Sequence, residues 1–384
     1  MKSSLSQRKS NPCTVPSKIS RKRILHLGMK LNTLKYLFVY IVPLIILFSL
    51  WCANIWSYFA LVFIFGLIPS VELFFNGSTE NLSAAEEEEA KNNILFDLIL
   101  YGLVPLQCFI LIYFLYQIGD PALPLYVKAG MTTAYGLACG GIAINAGHEL
   151  GHRNTWYEQA MSKVLLLSTL YMHFFIEHNR GHHNHVSTDH DPASSRFNES
   201  IYYFFPRSII GGWISAWNLE KKKLTIQNKR VWSLQNEMIR FQLIQTAFIT
   251  AIALIFSLET MVCFIAGASI GILILETVNY IEHYGLRRVK VGNRYERTKP
   301  IHSWNSNHPL GRILLLELTR HSDHHYISST KYQTLKHFND SPQMPTGYPG
   351  MMVLALFPPL WFSVMNKRIE EYGSMPPPLA QSQL

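Results

Sequence analysis

Six stretches of this sequence are apolar and long enough to cross the hydrocarbon core of a bilayer, which takes about 20 helical residues. They cover residues 36–53, 55–75, 94–118, 123–146, 241–256 and 261–281. The chain of 384 residues is 48% hydrophobic and only 15% charged, whereas soluble domains carry about 25% charged residues. The sequence therefore predicts an all-α integral membrane protein with six transmembrane helices.

The first apolar stretch is not expected to be a cleaved signal peptide, because it is longer than a usual signal core and lacks a small-residue cleavage site. If the amino terminus is cytoplasmic, all but Lys128 of the 34 Lys and Arg residues lie in segments on the inner side. Short cytoplasmic loops are enriched in these residues. The formal charge of +9 is thus explained by topology, without a nucleic-acid partner, and both termini are predicted to be cytoplasmic.

This topology divides the chain into membrane segments, two histidine-rich cytoplasmic segments and two disordered ends. The predicted parts are a disordered amino terminus at 1–30, transmembrane helices one to four within 31–146, a cytoplasmic segment at 147–240, helices five and six within 241–281, a second cytoplasmic segment at 282–372 and a disordered tail at 373–384. The five cysteines are single and scattered, which supports neither a disulfide framework nor a thiolate metal site.

Histidine is concentrated at the inner ends of the fourth and sixth predicted helices. Nine of the 16 histidines form four short clusters: His148 with His152; His178, His182 and His183; His283; and His321, His324 and His325. One ion takes at most about six ligands and zinc usually four, so two metal ions are implied. Imidazole suits iron, copper, zinc and nickel, and the ligand type alone does not name the metal.

Two simpler interpretations of the histidines fit less well. His148-Glu-Leu-Gly-His152 matches the zinc protease helix motif, in which the glutamate is the base. Such a protease would use three ligands and leave six clustered imidazoles unexplained. A histidine-rich surface tract is the other interpretation, but four clusters at one membrane depth favour a functional site.

Longer strings around the clusters resemble the bacterial integral-membrane alkane monooxygenases, which share a general three-box arrangement with membrane fatty-acyl desaturases. The string Asn279-Tyr-Ile-Glu-His-Tyr-Gly-Leu286 separates the two groups. Arg153 stands where the family often has lysine. The matching strings are Asn145 to Arg153, Glu177 to His183, Asp191 to Arg196, Asn279 to Leu286, His302 to His308 and Leu318 to His325.

The resemblance implies a non-haem enzyme with two iron ions that inserts one atom of O2 into the terminal C–H bond of a medium- or long-chain n-alkane. It also implies a bacterial inner-membrane location, and electrons from NADH that arrive through rubredoxin reductase and rubredoxin. The iron ligands carried over from the family are His148, His152, His178, His182, His183, His283, His321, His324 and His325.

Further site residues follow from helical spacing and from the resemblance. Metal-bound histidines usually donate their other N–H to a carboxylate or carbonyl, and Glu276, Asn279 and His283 share one helical face. Asp189, Asp191 and Asp323 are other candidates for this supporting role. In the second helix, Phe63, Ile64 and Phe65 are expected either to line a substrate tunnel, as bulky residues at a comparable place do in the family, or to face lipid.

Two alternatives stay open at this point. The same di-iron site could act on an alkyl-aromatic methyl group or a fatty-acyl chain, or the histidines could capture metal for a transporter.

The basic residues Lys221 to Lys223 and Arg287 to Lys299 are expected to steer an acidic rubredoxin by long-range attraction.

Overall fold

The computed structural model describes residues 33–372, so the terminal segments predicted to be disordered, 1–30 and 373–384, lie outside the described residues. The described chain is mostly helical, as predicted, with one small antiparallel hairpin of strands Lys290–Val291 and Arg294–Tyr295. Its longer helices are Lys35–Trp51, Ile55–Glu72, Ile94–Ile118, 125–151, Trp156–Ser168, Ile201–Ile226, Glu237–Ile255, Leu258–His283 and Pro358–Glu371. Shorter helical pieces cover Ala84–Asn92, 174–185, Pro300–His302, Pro309–Leu314, His321–Tyr326, Tyr332–Thr334 and Tyr348–Ala355.

Four of the described helices are long and apolar enough to cross a membrane: Ile55–Glu72, Ile94–Ile118, Glu237–Ile255 and Leu258–His283. They correspond to the second, third, fifth and sixth predicted spans. The first predicted span forms the shorter apolar helix Lys35–Trp51. The fourth, 123–146, falls almost entirely in the continuous helix 125–151. That helix is rich in small residues and less apolar, so the six-span topology stays a prediction.

Each of the four apolar helices begins at a residue whose side chain caps it. The Asn54, Asn93 and Asn236 side chains accept hydrogen bonds from backbone N–H groups two residues on, and Ser257 accepts one from Thr260. Such caps satisfy N–H groups that have no partner within the helix. Polar residues between the apolar stretches therefore set where these helices start.

Helix 125–151 packs closely on helix Leu258–His283 because glycines lie at the contact. A Cβ atom on Gly136 would lie 2.6 Å from Ile270, and one on Gly267 would lie 2.7 Å from the Tyr135 ring. Small residues allow helix backbones in membranes to approach closely. This is also why the predicted fourth span is less apolar, since glycine and alanine replace larger side chains at the interface.

Within residues 33–372, three helical stretches have π geometry, in which one extra residue is accommodated in a turn: Phe63–Leu67, Cys139–Ile144 and His178–His182. Short π stretches inside α-helices are rare and are frequently found at functional sites. The first two contribute residues to an apolar cavity, and the third carries two of the clustered histidines. Irregular helix geometry is thus concentrated around the histidines.

Candidate metal centre

The nine clustered histidines come together in two compact groups. In each group the candidate ligand nitrogens all lie within 4.8 Å of one another. Five histidines form the first group and four form the second, a division that the sequence did not predict. The five-histidine group contains His148, His152, His178, His183 and His324, and the four-histidine group contains His182, His283, His321 and His325.

Helix geometry explains which histidines share a group. In regular helices a spacing of four places two side chains on one face, and both His148 with His152 and His321 with His325 share a group. The π turn at His178–His182 breaks this rule, because its hydrogen bonds join residues five apart. His178 therefore pairs with His183, at 3.1 Å between their Nε2 atoms, and His182 contributes to the other group.

The histidines of both groups suit metal binding because most are buried and neutral. Burial, with added repulsion from His182 and Arg153, lowers the pKa of His152 to about 3. Burial also holds the pKa values of His178, His183, His321, His324 and His325 well below the ordinary value. A neutral imidazole offers a free lone pair to a metal ion. The nitrogens converge, with Nε2 atoms 2.9 Å apart for His148 and His324 and 3.2 Å for His182 and His325.

Among the predicted supporting residues, Asp191 contacts a clustered histidine directly. Its Oδ2 lies 2.9 Å from Nδ1 of His182 and accepts a second hydrogen bond from Ser194. Burial alone would raise the pKa of Asp191, but attraction to His182 outweighs it and lowers the pKa. A carboxylate on Nδ1 fixes the tautomer and leaves Nε2 free for a metal.

Replacing Asp191 with asparagine is expected to weaken retention of the ion bound to the four-histidine group by about 10- to 100-fold, the usual cost of losing such a carboxylate. Metal release to a chelator, followed over time in purified protein, measures this. Asp189→Asn is the matched control, because Asp189 is largely exposed and pairs with Arg287 at 3.5 Å. Equal metal release from the two variants would contradict the supporting role of Asp191.

Glu276 lies near the groups without touching a clustered histidine. Its carboxylate accepts hydrogen bonds from Tyr171 at 2.8 Å, Ser208 at 2.5 Å and Asn279 at 3.3 Å. These contacts join three parts of the chain. Glu276 and Asn279 line a small cavity whose wall also includes His178 and His182.

Asp323 and Asp189 lie outside the contacts expected of supporting carboxylates. Asp323 accepts a hydrogen bond from the backbone N–H of Lys336 at 2.8 Å, which ties the helix His321–Tyr326 to the following loop. Asp189 pairs with Arg287 near the surface. Both positions indicate roles in the local fold.

Glu282 is a site residue that sequence reasoning did not single out. One of its oxygens accepts a hydrogen bond from the Tyr348 hydroxyl at 2.9 Å, and the other lies 3.1 Å from Nε2 of His321. Glu282 also lines the apolar cavity. Its position next to His283 at the end of an apolar helix was the available signal, since acidic residues at such depth are costly and functional.

Glu149 has a different role from the base of a zinc protease motif. Its carboxylate accepts a hydrogen bond from Arg153 at 2.8 Å and lies 3.3 Å from the backbone nitrogen of Tyr332. Arg153 in turn pairs with Asp97 at 3.3 Å. Glu149 therefore stabilises the helix end that carries His152, and the motif match is coincidental.

A largely apolar cavity reaches both histidine groups. His148, His178 and His321 form part of its wall, and the rest is largely aliphatic. Ile64 and Phe65 line this cavity, whereas the ring of Phe63 lies 6.2 Å from that of Phe59 on the same helix. Of the three residues proposed for a substrate tunnel, two therefore line the cavity and Phe63 does not.

Comparisons with known proteins agree with this geometry. A fatty acid desaturase family model matches residues 122–355. The chain is 41% identical to alkane 1-monooxygenase 2 of Alcanivorax borkumensis, over 83% of this chain and 84% of that protein. It is 36% identical to the alkane 1-monooxygenase of Acinetobacter baylyi, over 80% and 75% of the two chains. The xylene/toluene monooxygenase hydroxylase component of Pseudomonas putida is 28% identical over 64% of each chain.

The region matched by the family model contains both histidine groups, and the alkane 1-monooxygenase matches cover most of the chain. The chain therefore belongs to the alkane 1-monooxygenase family, within the broader fatty acid desaturase family.

Proposed function

We propose that this protein binds two iron ions in its histidine groups and hydroxylates the terminal carbon of medium- and long-chain n-alkanes. The observation that carries the proposal is the apolar cavity, whose wall includes histidines of both groups. Nine imidazoles in sets of five and four suit two transition-metal ions, and family membership favours iron. The net reaction consumes an alkane, O2, two electrons and two protons, and yields a primary alcohol and water.

Bound iron would supply the activation of O2, and the residues of the chain would hold the substrate beside it. An alkane offers no polar group, so the cavity binds it by burying apolar surface. Aliphatic walls also keep water away from the reacting carbon. Glu282 and Asn279 are polar groups at this wall, and Glu282 accepts a hydrogen bond from Tyr348. They would help to position the histidine side chains at the end of the cavity where iron would bind.

The alkane would enter from the bilayer. Ile64 and Phe65 belong to the apolar helix Ile55–Glu72, whose residues Val62 and Leu67 are exposed on the outer face of the molecule. A hydrophobic substrate dissolved in lipid could reach the cavity from this side without crossing water. We place the protein in the bacterial inner membrane, with six spans, cytoplasmic termini and cytoplasmic histidine segments at 147–240 and 282–372.

The electrons would come from NADH through rubredoxin reductase and rubredoxin. Family membership supports this route, and the excess of basic residues in the cytoplasmic segments suits an acidic carrier. The two electrons of one turnover would arrive one at a time.

Purified protein in lipid nanodiscs tests this function. We expect two irons per chain and O2-dependent formation of 1-octanol or 1-hexadecanol from the matching alkane. Two tightly bound irons without alcohol from any alkane would contradict the proposal. Oxidation of xylene in preference to both alkanes would instead favour the alkyl-aromatic alternative, which the likeness to the xylene/toluene enzyme supports.

Ile64→Trp is expected to shorten the longest alkane that the enzyme accepts, because the larger ring would fill space in the cavity that Ile64 lines. Each methylene that no longer fits costs about 10- to 200-fold in selectivity. Product yields across a series from octane to hexadecane measure the effect. Phe63→Trp is the matched control, since Phe63 packs on Phe59 outside the cavity wall; identical profiles for the two variants would remove Ile64 from the substrate path.

A further inference from the structure

A solvent-facing groove reaches the five-histidine group at residues that the apolar cavity does not use. His152 lies in its wall, together with Arg153, Arg180, Lys222 and Lys223. The alkane cavity instead touches the same group at His148 and His178, and the two linings have no residue in common. The five-histidine group thus has separate apolar and aqueous approaches.

The aqueous approach coincides with the part of the metal centre that is least buried. Seven of the nine clustered histidines are buried, and His152 and His183 are the two that keep partial exposure. Both belong to the five-histidine group. Because electron transfer weakens steeply with distance, a soluble carrier would reach the metal centre most effectively at this edge.

A second groove approaches the four-histidine group from the same helix. Its wall includes Asp191, which holds His182, and it shares Leu219 and Lys222 with the first groove. We call residues 219–223, near the end of helix Ile201–Ile226, the lysine ridge. The ridge separates the two grooves, so a protein seated on it would cover both approaches.

The lysine ridge carries positive charge that nearby acids do not neutralise. Glu220 already pairs with Arg180 at 2.8 Å and with Lys223 at 3.3 Å. Glu237 pairs with Lys163 and Lys223. Lys221 and Lys222 are exposed and have no acidic partner within 4.0 Å among residues 33–372.

We propose that the lysine ridge is the docking surface for an acidic one-electron carrier protein, and that electrons enter the metal centre at the His152 edge. The inference rests on the proposed function and deepens it. The carrier gives up one electron per encounter and is itself oxidised, so two encounters supply the two electrons of each turnover. Charge complementarity is the argument for an acidic partner, because such patches steer association and fix orientation.

The test reverses charge on the ridge and on a second basic surface. Lys221→Glu with Lys222→Glu is compared with Lys290→Glu and Arg294→Glu, which change an exposed hairpin by the same charge. The hairpin belongs to the other basic stretch that the sequence suggested for steering, 287–299, but Lys290 and Arg294 line neither groove. The substrate is octane and the carrier is purified rubredoxin. The measurements are the KM and Kd for rubredoxin at several salt concentrations, the kcat at saturating rubredoxin, and the iron content.

We expect the ridge variant to raise KM and Kd for rubredoxin by about tenfold at low salt, as loss of steering charges does, and to flatten their salt dependence. Its kcat and iron content should match those of the unmodified protein. The hairpin variant should change KM and Kd by less than about twofold. Equal effects of the two variants, or an unchanged Kd in the ridge variant, would overturn the proposal.

A chemically reduced sample separates this inference from the proposed function. Enzyme reduced with dithionite and a mediator, then mixed with O2 and octane, should give the same single-turnover yield of alcohol in the ridge variant and the unmodified protein. No alcohol from either sample would contradict the proposed function, while the Kd for rubredoxin would still decide the docking surface. A yield lost only in the ridge variant would show damage to the metal centre and would overturn the docking interpretation.

Discussion

Replacing His325 with alanine should leave about one iron per chain and reduce octane hydroxylation by more than about a hundredfold, since loss of even a supporting partner costs 10- to 100-fold. His325 belongs to the smaller group, and its Nε2 lies 3.2 Å from that of His182. Its removal leaves three imidazoles there. Iron analysis and alcohol yield in nanodiscs measure both effects.

His152→Ala is the informative comparison, because the five-histidine group would keep four imidazoles. We expect this variant to retain more iron than His325→Ala. His190→Ala serves as a control for the loss of an imidazole, since His190 is exposed and belongs to neither group. Full iron content and normal turnover in His325→Ala would show that the four-histidine group is not a metal site.

Gly141→Leu should abolish turnover of the longest alkanes while sparing shorter ones. Gly141 lines the apolar cavity, and a Cβ atom placed on it would have no heavy atom within 4 Å apart from the neighbouring backbone of its own helix. A leucine side chain can therefore extend into the cavity without a steric clash at its base. Each lost methylene of cavity length costs about 10- to 200-fold against the alkane that needs it.

The position of Gly141 makes this prediction sharper than a general loss of activity. Ala129→Leu on the same helix adds comparable bulk at an exposed position outside the cavity wall, and should leave the product profile unchanged. The measurement is the ratio of octanol to hexadecanol formed from an equimolar mixture. A ratio that is equal in the two variants would mean that the alkane does not occupy the cavity near Gly141.

The histidines that form the candidate metal centre could be picked out from sequence, because each cluster is a local pattern. The division of these histidines between two groups could not be predicted, since it depends on tertiary contacts. His183 and His324 are 141 residues apart in sequence, yet their Nε2 atoms lie 3.1 Å apart. Asp191 was identified as a candidate, but only the fold shows that it contacts His182.

The sequence predictions that stay open, and the placements that differ from them, have physical reasons. Helical spacing placed Glu276 on one face with His283. In the packed molecule the Glu276 carboxylate accepts hydrogen bonds from the hydroxyl groups of Tyr171 and Ser208. Hydropathy favours large apolar residues, and it therefore describes the glycine-rich helix 125–151 poorly. Phe63 is adjacent to Ile64 in sequence, but its ring lies beside that of Phe59 and does not line the cavity.

The π turn at His178–His182 also has a consequence for assembly of the metal centre. One short segment supplies His178 and His183 to one group and His182 to the other, so its backbone must take a single conformation to satisfy both. The first ion to bind would fix that conformation. The second site would then lose less conformational entropy when its own ion binds. Loading of the two sites in the unmodified protein should therefore be cooperative when metal is limiting.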